Sequence, residues 1–157
     1  MRKQLALIGL SLAFSIMIGM ALVTGNTVNV VKVDVWIWPQ FLTVDGYDDY
    51  QSHGFGEWVT AFITLPRDYS TRDVDLASIT LQVNGGGSVP VSHYYAILGR
   101  IIVAKFDRAQ VIDLLRASMG HMTPYPVQKV TLVVTGDLHD GNVIRGEDTI
   151  TVYFVDN

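Results

Sequence analysis

The chain contains no cysteine among its 157 residues. Disulfide bonds, thiolate nucleophiles and cysteine-based zinc or iron–sulfur sites are therefore excluded. Because this covalent cross-link is missing, the stability of the folded chain must come from packing, from a bound metal or from assembly.

Charged side chains and glutamate are also scarce. Only 17% of the residues are charged, and the acids comprise thirteen Asp but two Glu. Asp favours turns and loops whereas Glu favours helices, so this bias predicts many loops and little helix. The net charge is −4 and no basic stripe is present, which excludes nucleic acid as a partner.

Sequence motifs of catalysis are missing as well. Histidines 53, 93, 121 and 139 lack metal-ligand spacing, no G-x-S-x-G elbow is present, and the glycines at 85–87 lack the Lys-Ser/Thr of a phosphate loop. We therefore expect a protein that is not an enzyme, with no catalytic and no cofactor-binding residue.

A long apolar run is the most informative feature that is present. Residues 5–23, LALIGLSLAFSIMIGMALV, carry no charge and follow Arg2 and Lys3. This layout predicts an apolar helix over residues 1–25 that acts as a signal peptide or as a membrane anchor. A pilin-like leader is a third interpretation, but Lys3-Gln4-Leu5 lacks the small residue before that cut. We expect an extracellular protein, or one anchored and facing outside, that contacts membrane only through residues 5–23.

Hydrophobic alternation dominates the remaining residues, 26–157, and predicts a single domain. In residues 28–38, Val33 and Ile37 fall on one face and Trp36 and Trp38 on the other, as in a strand with one buried face. Further strands are predicted over 57–65, 78–83, 89–97, 100–106, 127–135 and 148–155. Residues 40–56 are predicted to be a turn-rich connection, and residues 136–146 a wide hairpin loop.

One short helix near 108–118 is predicted, because Asp107 and Gln110 have capping-box spacing before residues of helical period. The fold class is therefore all-β: an antiparallel, immunoglobulin-like β-sandwich of about seven strands with this one helix.

Five segments carry a resemblance to a known module. They are GEWVTAFITLP at 56–66, DVDLASITL at 73–81, AKFDRAQVIDLL at 104–115, VTLVVTG at 130–136 and GEDTITV at 146–152. Their order resembles an uncharacterised β-sandwich module of exported and surface proteins of archaea and bacteria. The resemblance implies the fold but no enzymatic activity. Members often carry a D-x-D-x-D loop before "F-D-R", whereas residues 92–100 of this chain contain no acidic residue. The resemblance therefore implies that a calcium site formed by this loop in other members is lost here.

Two acidic clusters are candidate calcium sites. Each cluster places several carboxylates beside a glycine, as flexible oxygen-ligand loops do. Turn chemistry alone is the alternative interpretation. The candidate ligands are Asp45, Asp48 and Asp49 in the first cluster and Asp137 and Asp140 in the second.

Trp36 and Trp38 form a candidate binding surface, because they occupy the face of their strand that is nominally exposed. The primary prediction is a non-catalytic surface or structural module with a cell-envelope or adhesive role. Its expected partners are other envelope or surface proteins, including further copies of the chain. One alternative is a subunit of an extracellular filament assembled by donation of the strand 28–38. Another is a carbohydrate-binding module that uses Trp36, Trp38, Tyr47, Tyr50, Tyr94 and Tyr95 for stacking.

Overall fold

The structure is a computed structural model that describes residues 27–45, 56–83, 86–119 and 127–155. Ten strands and one α-helix lie in these ranges. The helix α1 is Arg108–Met119. The strands are β1 Val30–Lys32, β2 Asp34–Trp38, β3 Phe41–Asp45, β4 Trp58–Thr64, β5 Thr80–Val83, β6 Ser88–Pro90, β7 His93–Ile97, β8 Ile101–Asp107, β9 Val127–Asp137 and β10 Val143–Val155.

The strands form two sheets that enclose one apolar core. The four-stranded sheet has the order β2-β4-β8-β7, and all its pairs are antiparallel. The six-stranded sheet has the order β1-β10-β9-β5-β6, with β3 also paired to β10. The prediction of an all-β sandwich with one helix near 108–118 is therefore confirmed. The predicted apolar helix over 1–25 lies outside the described residues.

The N-terminal strand differs from the prediction. Residues 28–38 were expected to form one strand, but β1 pairs parallel with β10 in one sheet while β2 pairs antiparallel with β4 in the other. The chain crosses between the sheets at Val33, which is buried. The predicted faces are correct, because Val33 and Ile37 are buried whereas Trp36 and Trp38 are exposed, and in β1 Val31 is the least exposed residue.

Two predicted loops are wrong in extent. The connection 40–56 contains β3, which pairs parallel with β10 over five residues. The hairpin between β9 and β10 is tight rather than wide, because the ladder continues from Val143 paired with Asp137 through Gly146 paired with Val134. The predicted strand 89–97 is also wrong, because it is divided into β6, which pairs with β5, and β7, which pairs with β8 in the other sheet. With β3 and the division of the N-terminal strand, this raises the number from about seven to ten.

The helix begins where the sequence places it. The Asp107 carboxylate accepts a hydrogen bond from the Gln110 backbone N–H at 3.0 Å, which satisfies one donor of the first turn. Val111 and Leu115 are fully buried in the core. The helix packs against both sheets, on β3, β5 and β6 of one and on β4 and β8 of the other. Within the described ranges, no helix is long and apolar enough to span a bilayer.

A polar loop holds the β9–β10 hairpin at one end of the sandwich. The Asp73 carbonyl accepts from the His139 N–H at 2.9 Å, and Val74 bridges to Leu138. The Asp73 carboxylate accepts from the Ser70 N–H at 2.7 Å and from the Ser70 hydroxyl at 3.0 Å. These hydrogen bonds, with a smaller contribution from the charge of His139, hold the pKa of Asp73 below its ordinary value of 3.8.

We expect the Asp73→Asn substitution to remove an acid-sensitive contribution to stability. Because the folded-state pKa is lowered, the contribution is fully present above the unfolded-state pKa and is lost as the pH falls through the folded-state pKa. The melting temperature of the native chain should exceed that of the variant by a constant amount above about pH 5. This difference should shrink below that pH. A difference that grows on acidification would contradict this assignment, and thermal melts of both proteins from pH 2 to pH 7 measure it.

Candidate functional site

The outer face of the four-stranded sheet carries all three tryptophans of the chain. Trp36 and Trp38 lie on the edge strand β2, and Trp58 begins β4. The exposed fractions of Trp36 and Trp38 are 51% and 44%. None of the three belongs to the core, where Phe106 is the aromatic residue that is fully buried. The interpretation of Trp36 and Trp38 as outward-facing side chains is therefore confirmed.

Strand register places further aromatic side chains in the same rows. Trp36 is paired with Phe62, Phe62 with Val103, and Val103 with Tyr95, so this row crosses all four strands. Its two ends are exposed, whereas Val103 within it is fully buried. The row spans three inter-strand spacings, roughly 14 Å. The rings of Trp36 and Phe62 lie 5.2 Å apart, and Tyr95 is half-exposed. We call Trp36, Trp38, Trp58, Phe62, His93 and Tyr95 the aromatic face.

The next row adds polar groups beside these rings. Trp38 is paired with Thr60, Thr60 with Lys105, and Lys105 with His93. The ammonium of Lys105 lies 5.9 Å from the centre of the Tyr95 ring, within the range of a cation–π contact. The His93 ring meets Trp58 edge-on, with centroids 4.7 Å apart and an interplanar angle of 83°. The aromatic face thus has the polar groups of Lys105 and His93 beside its rings, whereas Thr60 is buried.

The outer face of the six-stranded sheet has a different character. Its rows hold threonines whose hydroxyls hydrogen-bond across strands: Thr80 to Thr135 at 3.0 Å and Thr131 to Thr149 at 3.1 Å. Exposed charged residues lie beside them, among them Arg145 and Glu147. A hydroxylated and charged face of this kind is ordinary for a solvated sheet. This sheet also exposes Phe41 and Tyr153, whereas all three tryptophans lie on the four-stranded sheet.

Sequence reasoning named Trp36, Trp38 and Tyr95 and missed Trp58, Phe62 and His93. Trp58 and Phe62 occupy even-numbered positions of the segment 57–65 and therefore lie on one face of the strand. The odd-numbered Val59, Ala61 and Ile63 lie on the other face and are fully buried. An all-aliphatic parity marks the inner face of a strand, so the aromatic parity could have been assigned to the outside. Tyr94, also considered for stacking, has the opposite parity to Tyr95 and lies on the other side of β7. Tyr47 and Tyr50 lie outside the described residues.

The candidate calcium ligands are only partly described. Asp48, Asp49 and the side chain of Asp45 lie outside the described residues. Asp140 makes a local turn, because its carboxylate accepts from the N–H and from the side-chain amide of Asn142, both at 2.9 Å. In the described part of the chain, no three Asp, Glu or His side chains are grouped as a metal site. Calcium binding at these residues stays a prediction.

Searches of the chain against protein-family models, curated proteins and solved structures find no match.

Proposed function

We propose that this chain is a non-catalytic extracellular module that attaches to polysaccharide through the aromatic face. The observation that carries the proposal is that all three tryptophans lie on one sheet face, with Trp36 and Trp38 exposed at its edge and Trp58 half-buried. Exposed indole rings are costly to leave in water and are enriched where proteins meet their ligands. The function is adhesion, and no reaction is assigned to the chain.

The proposed ligand is a neutral glycan. A pyranose ring has an apolar C–H face that stacks on an indole and a rim of hydroxyls that needs hydrogen-bonding partners. The row of Trp38 supplies both, because the half-exposed Lys105 and the exposed His93 follow it across the sheet, beyond the buried Thr60. The cation of Lys105 and the carboxylates of Asp34 and Asp107 lie on the same face, so the face carries charges of both signs. This balance favours an uncharged ligand over a polyanion or a polycation.

The export of the module is part of the proposal and depends on residues 5–23, whose apolar run follows two basic residues. An immunoglobulin-like topology is also part of it. The order β2-β4-β8-β7 corresponds to strands A, B, E and D of that fold, and the order β10-β9-β5 corresponds to G, F and C. The proposed relation to β-sandwich modules of archaeal and bacterial surface proteins agrees with both features.

We expect the Trp38→Ala and Trp36→Ala substitutions each to weaken glycan binding by about tenfold or more, because a central aromatic contact commonly dominates an interface. The full chain would be tested on a glycan array, and then by affinity electrophoresis in gels that contain neutral β-glucan, xylan or galactomannan. Tyr153→Ala is the matched control. Tyr153 is 42% exposed but lies on the outer face of the other sheet.

Loss of binding in both tryptophan variants but not in Tyr153→Ala would support the proposal. If the native chain binds no neutral glycan, or if Tyr153→Ala weakens binding as much as Trp38→Ala, the proposal is wrong.

The alternative function is a filament subunit assembled by strand donation. In the single chain, β1 and β2 both lie at sheet edges, where β1 pairs with β10 and β2 with β4. Edge strands can be exchanged between copies without a change of pairing. In a filament the same pairs would form between neighbouring subunits. Electron micrographs of the purified protein distinguish filaments from separate modules.

A further inference from the structure

Strand β7 forms an unprotected edge of the four-stranded sheet. All five of its residues are exposed, and its sequence HYYAI carries no proline and no acidic or basic side chain apart from His93. Soluble proteins usually blunt such an edge with charge, proline or a bulge, because free N–H and C=O groups accept another strand. Strand β7 uses none of these devices over its five residues.

Hydrogen-bond alternation shows which backbone groups of β7 face outward. The Leu65 N–H donates to the Arg100 carbonyl at 2.9 Å, so the even-numbered residues of β8 bond to β4. The odd-numbered residues of β8 therefore bond to β7, through the residues in register with them: His93, Tyr95 and Ile97. The N–H and C=O groups of Tyr94 and Ala96 consequently point to the free edge.

Two other edges in the molecule are each blocked at one position. On β2 the outward-pointing N–H of Ile37 donates to the Asp148 carboxylate at 2.7 Å. Strand β6 has three residues and ends in Pro90, which has no N–H to donate. At each of these edges an incoming strand would find one donor paired or missing, whereas both Tyr94 and Ala96 of β7 direct their backbone groups outward.

We propose that β7 pairs antiparallel with β7 of a second copy of this chain, about a two-fold axis through Tyr95. Tyr94 of each copy then lies opposite Ala96 of the other, and these two pairs exchange four backbone hydrogen bonds. Tyr95 lies opposite its own counterpart, and aromatic cross-strand pairs stabilise a sheet. The two four-stranded sheets become one sheet of eight strands.

A second copy of this chain is the partner that fits this edge, because β7 is complementary to itself. Residues of like charge opposite one another destabilise a ladder, but self-pairing of β7 brings His93 only against Ile97. A two-fold arrangement needs one surface patch that matches itself, as this register does. It also joins the row from Trp36 to Tyr95 with the same row of the second copy. The pairing depends on backbone geometry and is independent of the ligand proposed for the aromatic face.

Disulfide trapping tests the register directly, since the native chain has no cysteine. In the full chain, Tyr95→Cys places two thiols opposite each other with Cα atoms about 4.5 Å apart, a separation that a disulfide spans. We expect a covalent dimer under mild oxidation. Ile97→Cys is the control on the same strand and face. In this register its two copies lie about 13 Å apart and should not be linked.

A mixture of the His93→Cys and Ile97→Cys chains should give the mixed dimer, because these positions are opposite each other. In the Tyr95→Cys chain, the additional substitution Ala96→Pro removes the outward N–H of residue 96. That N–H makes no hydrogen bond within the chain's own sheet but bonds to the second copy in the proposed dimer. We expect Ala96→Pro to lower the cross-linking rate at least tenfold while the circular dichroism spectrum is retained. A Tyr95→Cys chain that stays monomeric, or an Ile97→Cys chain that cross-links as fast, would overturn the proposal.

Discussion

Replacing Gly146 with alanine is expected to lower the free energy of unfolding by about 3 kcal/mol. A Cβ at this position would collide with Cγ2 of Val35 and would lie 2.6 Å from the carbonyl oxygen of Val33. Both residues belong to the segment in which the chain passes from one sheet to the other. The obstacle includes backbone and buried side chain, so the clash cannot be relieved by the turning of a flexible surface group.

Urea denaturation of the native and variant chains at 25 °C measures this loss. Gly87→Ala is the matched control, because its added Cβ would meet only Cδ1 of Leu114 at 3.4 Å, an ordinary contact distance. The control should change the free energy of unfolding by no more than about 0.5 kcal/mol. Equal urea midpoints for the Gly146→Ala and native chains would show that the crossing segment does not pack against β10 in this way.

The Asp148→Ala substitution is expected to cost about 2–3 kcal/mol. Asp148 faces the interior and is half-buried. One of its carboxylate oxygens accepts from the Ile37 N–H at 2.7 Å and from the Gln40 side-chain amide at 2.8 Å. Alanine leaves both donors without this acceptor. A buried donor without an acceptor destabilises the folded state by the free energy of its desolvation, which no hydrogen bond then offsets. The link between β2 and β10 is lost with it.

Glu147→Ala is the control for this prediction, since Glu147 precedes Asp148 but is exposed on the outer face. Its effect should stay within about 0.5 kcal/mol. Asp148→Asn retains one side-chain acceptor and should fall between the two. If Asp148→Ala and Glu147→Ala have equal unfolding free energies, the carboxylate does not hold the bend between β2 and β3.

Local sequence signals predicted the elements whose structure depends only on residues nearby in the sequence. The helix α1 begins after Asp107 because a capping carboxylate and an apolar period are both visible in the sequence. The buried face of residues 30–38 was predictable for the same reason. The passage between sheets at Val33 was not, because alternation continues unbroken on either side and reveals nothing about which sheet a strand joins.

Strand β3 shows the other limit. Residues 41–45 precede a segment rich in turn residues, and their partner β10 begins more than 90 positions later in the chain. Pairing over this distance is decided by tertiary packing. The glycines at 136 and 146 suggested a loop, yet Gly146 lies within the β9–β10 ladder. Glycine is required there because the segment from Val33 to Val35 passes close over it. The aromatic face could be predicted from Trp36 and Trp38, but its full extent depended on register.

The parallel pairing of β1 with β10 has a mechanical consequence. Val30 lies beside Val143 at the start of β10, while the chain continues along β10 to residue 155. A tension applied between residues 27 and 155 is therefore directed along the two strands, in opposite senses. This force shears the hydrogen bonds between the two strands, and all of them bear it together. They therefore cannot break one after another. A module tethered at one end and attached at the other would resist extension through this pair.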